Sequence, residues 1–567
     1  MQGRNASRSA RMLWPLALLV SLAGYLAFGQ DEALGRCDPA VERPVGQVSG
    51  LDGSPPEDGA EVRVGGVVTG TFLGDGQLDG FFLQSDDAGS PAGLFVYAPR
   101  LRSEFRRHVE PGNRLQVAGR RGTWRDQPQL QHVERIDLCG EPGKPPAVSL
   151  TLPVEEASLD SLYGVLVELP QTLTITGNHE LGVYGSLDLA ASRLFRARSG
   201  IGGEGLEQLV LDDGSYARNP EPVPYLDVAS GTRRVGDRVR GVRGVLVHQF
   251  DAWRLHPVTE PEFEVGNPRP EAPSRLPGLQ VASMNVENYF ITPGERGAAD
   301  AGELERQRGK LLPALAGLDA DLLALIEIEN DPAALDDLLD HLNRRVDRPY
   351  ARLENDPETG TDAIRMAWIY RPDRLEPVGG PTSDGDPVHH RPPLAAAFRP
   401  VDGGEPFLAA VVHFKSKTGC PASGDIDRGE GCWNQRRTEQ ARALARFMEA
   451  ESEHRGVEQV LLAGDFNSYA AEAPIRLLER DGYRNLVRAY LPAERHYTYV
   501  FRGASGMLDY LFVNAAMAER VTGVDVWHIN ADEPRFFGYD TGRPEAESAL
   551  GTPHRSSDHD PVRMAID

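Results

Sequence analysis

The residues of this 567-residue chain that could do chemistry come in short polar groups, each at the end of an apolar run. Near the C-terminus, His554-Arg555-Ser556-Ser557-Asp558-His559-Asp560 sets acid beside imidazole after a serine pair, a cluster able to hold a metal and touch a phosphate. Asn285 ends the run 281–284, Glu327 comes late in 322–327, and His413 ends 408–412. Asp465 and Asn467 follow 460–464, and Asp509 is embedded in 507–513. Charged groups are rarely buried without a partner or a metal, so acids and imidazoles at so many strand ends are expected to converge. Asp465 and Asn467 stand two apart, on one side of an extended chain, where one can orient a water and the other hold a phosphate oxygen. Asp558 and His559, being adjacent, need a loop to share a site. Asp509 needs a donor among its apolar neighbours, and the imidazole of His559 is a natural candidate.

The elements that must position these groups follow from texture. Beyond residue 278, runs apolar on both faces (279–284, 322–328, 367–370, 407–414, 459–463 and 508–513) alternate with helical patterns at 304–318, 332–346, 434–449 and 474–481. Such alternation predicts sheets covered by helices, a layered α/β sandwich. Ahead of it, Asn267-Pro268-Arg269-Pro270-Glu271-Ala272-Pro273 reads as a linker, because repeated proline extends a chain. Earlier still, five β-runs (62–69, 80–84, 93–97, 114–119 and 132–138) suit a small OB-like barrel. A second β-rich unit has strands at 164–169 and 173–176, a polar loop at 178–185 and a hairpin at 237–250, and reads as a barrel with an insertion. The expected divisions are a signal peptide over 1–29, OB-like units over 30–145 and 150–265, a linker over 266–278, and a catalytic domain over 279–567.

Arg4, Arg8 and Arg11 precede the apolar run 13–28, the layout of a secretory signal with cleavage after Gly29. No other stretch approaches the about 20 apolar residues of a membrane span. A secreted or periplasmic protein is therefore expected. The four cysteines suit that compartment, with Cys37 pairing Cys139 and Cys420 pairing Cys432. The formal net charge is −24, which opposes a polyanionic partner in bulk, so a nucleic-acid site must be a local patch or a metal. Only Lys144, Lys310, Lys415 and Lys417 are lysines, and two of them follow His413. The loop 425–430 holds part of a calcium-loop pattern but lacks its terminal Glu. Trp124, Trp253 and Trp368 are candidate base-stacking rings, with a core or rim place the safer reading.

Six segments in order, Asn285-Val286-Glu287-Asn288-Tyr289-Phe290, Glu327-Ile328-Glu329-Asn330, His413-Phe414-Lys415-Ser416-Lys417, Gly464-Asp465-Phe466-Asn467-Ser468, Leu508-Asp509-Tyr510-Leu511 and Ser557-Asp558-His559-Asp560-Pro561, resemble the motifs of the endonuclease/exonuclease/phosphatase superfamily. A closer resemblance, to bacterial secreted nucleases with OB-like modules, rests on Leu181-Gly182-Val183-Tyr184-Gly185, Trp433-Asn434-Gln435-Arg436-Arg437 and His528-Ile529-Asn530-Ala531-Asp532-Glu533-Pro534. It spans about residues 159 to 562.

The resemblance implies a four-layer α/β/β/α sandwich of the DNase I-like kind and a metal-dependent phosphodiesterase acting on extracellular DNA, with RNA as a further substrate. It makes Glu327 the ligand of a divalent metal, helped by Asn285 and Asp558, with Mg²⁺ the first expectation and Ca²⁺ or Mn²⁺ the alternatives. Glu329, two residues from Glu327, is the competing ligand. Asp465 would activate or orient water and Asn467 fix the phosphate. His413 and His559 would stabilise charge or protonate the leaving oxygen, with Asp509 orienting His559. Lys415, Lys417, Arg436 and Arg437 are candidate phosphate contacts, and Asp362 a candidate partner for His413. The products would carry 5′-phosphate and 3′-hydroxyl ends. A monomer with no protein partner is expected. The rival readings are a phosphoesterase for phospholipid or inositol phosphate and a non-catalytic binding or adhesion protein.

Overall fold

The computed structural model describes residues 37–567 apart from 87–89, 141–142, 144–145, 200–204, 295, 355–356 and 358. The expected signal peptide lies outside the described residues. Cys37 is bonded to Cys139 and Cys420 to Cys432, as an oxidising compartment allows. Among the described residues no helix is long and apolar enough to cross a membrane.

Strands Glu61–Phe72, Gly80–Gln84, Gly93–Tyr97, Arg114–Trp124 and Gln127–Leu138 form a closed sheet in the order first, second, third, fifth, fourth and back to first. The third and fifth run parallel, and the first and fourth close the barrel antiparallel. The interior is filled by alternate apolar residues such as Val62, Val64, Phe81, Leu83 and Val117.

The second β-region repeats that order with its first and fourth strands each broken in two. Leu166–Leu169 pairs with Val242–Gln249, and Leu173–Gly177 pairs with Arg238–Arg240. Leu187–Ala190, Gln208–Leu211 and Ala252–Pro257 complete the circuit. Both regions are consistent with OB-like modules. The expected hairpin over 237–250 is instead one strand interrupted at Gly241, whose φ of 66° breaks the ladder, and its hairpin partner is Ala252–Pro257. The loop 178–185 contains a helical turn, Leu181–Tyr184.

The remainder is a DNase I-like four-layer α/β/β/α sandwich. One six-stranded sheet centres on Ile364–Tyr370, Leu322–Glu329, Leu279–Tyr289 and Val562–Ile566. The other centres on Leu394–Pro400, Phe407–His413, Gln459–Asp465 and Asp509–Val513. Val281, Leu322, Ile326 and Trp368 from the first meet Phe398, Leu408, Ala410, Leu462 and Tyr510 from the second in one core. Helices Ala301–Leu318 and Pro332–Asn343 cover the first sheet's outer face with Leu311, Leu315, Leu335 and Leu338. Asn434–Arg455 and Ala473–Arg480 cover the second with Leu444, Met448, Ile475 and Leu478. Asp300 and Asp331 cap the first two helices by accepting from Glu303 N and Ala333 N, which fixes where each helix starts.

The proline-rich segment is not a free spacer. Asn267 Nδ2 donates to Asp532 Oδ2 at 2.8 Å and Arg269 Nη2 to Glu533 Oε2 at 2.7 Å. Arg234 of the second barrel reaches the same pair, donating to Glu533 Oε1 at 2.6 Å. Asp532 and Glu533 are both fully buried at this junction. Burial disfavours the charged Asp532 carboxylate, but Arg193, Arg234 and His528 outweigh it and bring the pKa down to about 2.

Candidate active site

Strand pairing does most of the positioning. In the parallel ladder between Phe407–His413 and Gln459–Asp465, His413 lies directly opposite Asp465. In the antiparallel ladder to Asp509–Val513, Asp465 lies opposite Asp509. The three form one lateral row across the end of a sheet. The facing sheet contributes Asn285, opposite Ile326 in its own ladder. The Asn285 amide donates to Glu327 Oε1 at 3.2 Å and to Asp465 Oδ2 at 3.4 Å, so the ends of the two sheets meet here.

Glu327 and Glu329, two apart in one strand, do not share a role. The ladder slips between Ile326 and Ile328, and Glu327 sits at φ 70°, a left-handed conformation that costs about 1 kcal/mol or more. This bulge turns the Glu327 carboxylate into the site, where it also accepts from Asn288 N at 3.1 Å. Glu329 instead accepts from Ile291 N at 2.8 Å and Thr292 N at 3.2 Å and holds the loop after the neighbouring strand.

The two histidines have opposite surroundings. His413 is buried, with Nε2 3.5 Å from Asp465 Oδ2 and 3.8 Å from Glu327 Oε1, and its Nδ1 has no hydrogen-bond partner. Burial, then the nearby Arg391 and His559, holds its pKa well below the ordinary value, so the ring is neutral at pH 7. His559 Nδ1 lies 2.7 Å from Asp509 Oδ2, which also accepts from the Thr498 hydroxyl at 2.7 Å. Burial opposes charge on this ring too, but Asp509 and Asp558 outweigh it and raise its pKa well above the ordinary value. The loop expected around Ser556-Ser557 holds the ring in place, with His559 N donating to Ser557 Oγ at 3.2 Å and Asn530 Nδ2 to His559 O at 2.7 Å.

Asp465, between the histidines, has its pKa raised to about 7 by burial, an effect His559 opposes and Asp509 reinforces. Asn467, at φ 47°, donates its own N–H to Asp465 Oδ1 at 2.8 Å and its amide to Phe414 O and Asp465 Oδ2, both at 3.2 Å. Its side-chain oxygen is the part left for a ligand. Asp558, at 30 % side-chain exposure, is the most open acid of the group.

The cations are arranged differently from the sequence expectation. Arg437 is buried and donates to Ser468 Oγ, Lys415 O, Cys432 O and Glu430 O, so it braces the disulfide loop and has no reach to a phosphate. Lys417 is paired with the buried Glu472. Lys415 turns back on Ser416 and lies 5.4 Å from the Trp433 ring. Arg436 donates to Val388 O at 3.2 Å. Asp362 faces Arg391, with Nη1 3.2 Å from its Oδ2, and does not pair with His413. Arg391 was not singled out in the sequence, yet it donates to His413 O at 3.2 Å and Phe414 O at 2.7 Å and clamps the end of that strand. Only its place between His389-His390 and Pro392 marks it. The 425–430 loop is no cation cradle, since Asp425 accepts from Gln435 N and Arg436 N at the start of helix Asn434–Arg455. Trp253 and Trp368 are core residues, while Trp124 is 40 % exposed.

Residues 282–559 match the model of the Endonuclease/Exonuclease/phosphatase family, a span that holds every site residue described above. This domain belongs to the endonuclease/exonuclease/phosphatase family. No curated protein gives a match to the chain. Among solved structures, the human Nocturnin catalytic domain with bound sulfate is similar at 16% identity and a TM-score of 0.34, over 51% of this chain and 93% of that one. D. rerio TDP2 complexed with single strand DNA product is similar at 16% identity and a TM-score of 0.34, over 51% and 99%. A mannosyl-6-phosphatase of Bacteroides thetaiotaomicron is similar at 16% identity and a TM-score of 0.33, over 51% and 99%.

Members of the endonuclease/exonuclease/phosphatase family typically use divalent metals, and the donor chemistry here fits one. Glu327 has its pKa raised by burial and then by the charge of Asp558, a repulsion that a cation between them would relieve. Carboxylate oxygens are donors that hard cations take, whereas Asn285 turns its amide nitrogen toward Glu327 and its oxygen to Glu287 N at 3.0 Å, so it would add an oxygen only with the amide turned over. Among the His, Cys, Asp and Glu side chains of the described residues, the one compact group of possible ligand atoms is a different set, Asp465, Asp509 and His559, within 4.8 Å of one another. Its compactness follows from the His559–Asp509 hydrogen bond.

Proposed function

We propose that this chain is a secreted, divalent-metal-dependent nuclease that hydrolyses phosphodiester bonds of extracellular DNA, with RNA as a further substrate, leaving 5′-phosphate and 3′-hydroxyl ends. The observation that carries the reading is the lateral row of His413, Asp465 and Asp509, with His559 bonded to its end. It sets a neutral imidazole and a charged one on either side of a carboxylate poised near neutrality.

Asp465 orients the attacking water and accepts its proton. His413 turns Nε2 toward Asp465 and Glu327, where the phosphate would bind. His559, fixed and kept charged by Asp509, stabilises the developing negative charge and protonates the leaving oxygen. Asn467 places the phosphate. Asn285, Glu327 and Asp558 would hold the metal, which supplies Lewis-acid stabilisation of the phosphoryl oxygens when bound. Mg²⁺ is proposed, with Ca²⁺ or Mn²⁺ as alternatives.

Plasmid and RNA degradation with and without chelator, comparing wild type with His413→Ala and Asp465→Ala, tests this. Loss of cleavage with chelator and in both variants is expected. Undiminished activity in both variants overturns the site, and cleavage of sphingomyelin or an inositol phosphate with plasmid left intact overturns the substrate.

A further inference from the structure

Resting on that reading, we infer that the second barrel supplies part of the substrate-binding surface: an arm of its insertion places Arg196 in a strip with Tyr499 and Phe501 that holds a polynucleotide strand beside the reacting phosphate. Phe195–Arg196 leaves the barrel and pairs parallel with Ser505–Gly506 of the sandwich. Tyr499–Phe501 pairs antiparallel with Ala504–Gly506 on the other side, so a three-stranded sheet is shared between barrel and catalytic domain.

Register decides which side chains share a face. Arg196, Gly506 and Tyr499 form one lateral row, with Phe501 two residues along on the same face. The Tyr499 ring lies 4.8 Å from the ring of His559, so this face borders the site. Gly506 leaves room for the Tyr469 ring, which a Cβ there would meet at 2.4 Å. The Arg196 guanidinium lies 5.7 Å from Tyr469 and 5.6 Å from Phe501, and its buried Nε has no hydrogen-bond partner. Phe501 is 44 % exposed, and Arg502 stands 5.3 Å from its ring.

The arm is fixed at both ends. Arg193 is paired with the buried Asp532 and donates to Ser505 Oγ at 2.9 Å. Ser199 donates its N–H and hydroxyl to Glu472 Oε1 at 2.9 and 2.7 Å, and Ala471 N donates to Ala197 O at 2.9 Å. A tethered arm presents its side chains without an ordering cost on binding.

The ligand class follows from the chemistry. An open ring between two guanidinium groups stacks a base of any identity while the cations meet its phosphates. In a chain of net charge −24, such a local concentration of arginine is what a polyanion requires. A small phosphodiester would react at the row without touching the strip.

The test measures kcat and KM on a fluorescent single-stranded oligonucleotide and on bis(p-nitrophenyl) phosphate. Phe501→Ala and Arg196→Ala are expected to raise the oligonucleotide KM about fivefold or more, with Arg196→Lys intermediate and the small-substrate constants unchanged. Phe195→Ala, an exposed ring on the opposite face of the same sheet, should leave both substrates unaffected. Wild-type cleavage of the oligonucleotide with an unaltered KM in Phe501→Ala and Arg196→Ala overturns the inference alone. Failure of wild type to cleave oligonucleotide while hydrolysing the small diester overturns the nucleic-acid reading, and this inference with it.

Discussion

The two barrels share a strand order yet treat their neighbours in opposite ways. The first encloses its own core and meets the second through a small apolar seam, Phe72, Leu78 and Phe82 against Val245 and Val247. Gln84 adds a polar stitch there, accepting from Leu166 N at 2.7 Å. The second joins the sandwich through both polar and apolar contacts. Arg193, Arg234 and Arg269 converge on Asp532 and Glu533, while Phe536 and Phe537 enter the barrel's own apolar cluster. Strand order alone therefore does not say whether a module is an appendage or a structural part of the enzyme; the buried charge at its border does.

The largest effect expected is from truncation. Deleting residues 150–265 should leave the sandwich aggregated, because Phe536, Phe537 and two buried acids lose their cover. Deleting residues 1–145 should leave a folded protein with hydrolysis of bis(p-nitrophenyl) phosphate within about twofold. Size-exclusion chromatography and circular dichroism distinguish the two, and equal tolerance of both deletions would erase the contrast.

Next in size, Glu533→Ala leaves the buried Arg234 without its closest carboxylate and should cost about 3–5 kcal/mol in urea unfolding. Glu42→Ala removes the half-buried partner of Arg114 in the first barrel and should cost about 1 kcal/mol or less.

Lys310 sharpens the point from the other direction. Its ammonium is buried without a hydrogen-bond partner, 5.9 Å from the Phe537 ring, and burial, partly offset by Glu533, lowers its pKa to about 7. The unfolded chain keeps this proton up to about pH 10.5. The native state is therefore penalised fully below about pH 7, and the penalty fades as pH rises toward 10.5. Lys310→Met should stabilise by about 1–4 kcal/mol at pH 6 and far less at pH 10, read as Tm at each pH.

The smallest effect is expected between the barrels. Arg125 lies 4.8 Å from Trp124 and 5.2 Å from Phe250 across that seam, and Arg125→Ala should change stability by about 1 kcal/mol or less.

Apolar runs ending in polar residues made most of the sandwich legible in the sequence, although the equally buried Leu394–Pro400 and Val562–Ile566 were not among them. Strand Leu375–Ser383 was missed because its side chains are mostly half-exposed or exposed. Period-two reasoning placed Glu327 and Glu329 on one face, and a single bulged residue separated them. Arginines were harder to read. They are so frequent here that Arg196 carries no mark in the sequence and Arg391 only its place between His389-His390 and Pro392, while Arg437, which stands in a motif, is consumed as a brace. The proline-rich segment read as extended and has neither helix nor strand, but the acids that pin it lie more than 260 residues away.

The row of His413, Asp465 and Asp509 ties reactivity to the accuracy of folding. Neighbouring strands are spaced by about 4.8 Å whatever loops connect them. A slip of one residue in Gln459–Asp465 would carry Asp465 to the opposite face and leave a hydrogen-bonded but inert sheet. Specific activity in a purified preparation thus counts the molecules whose central strands are in register, a population that secondary-structure content alone would not reveal.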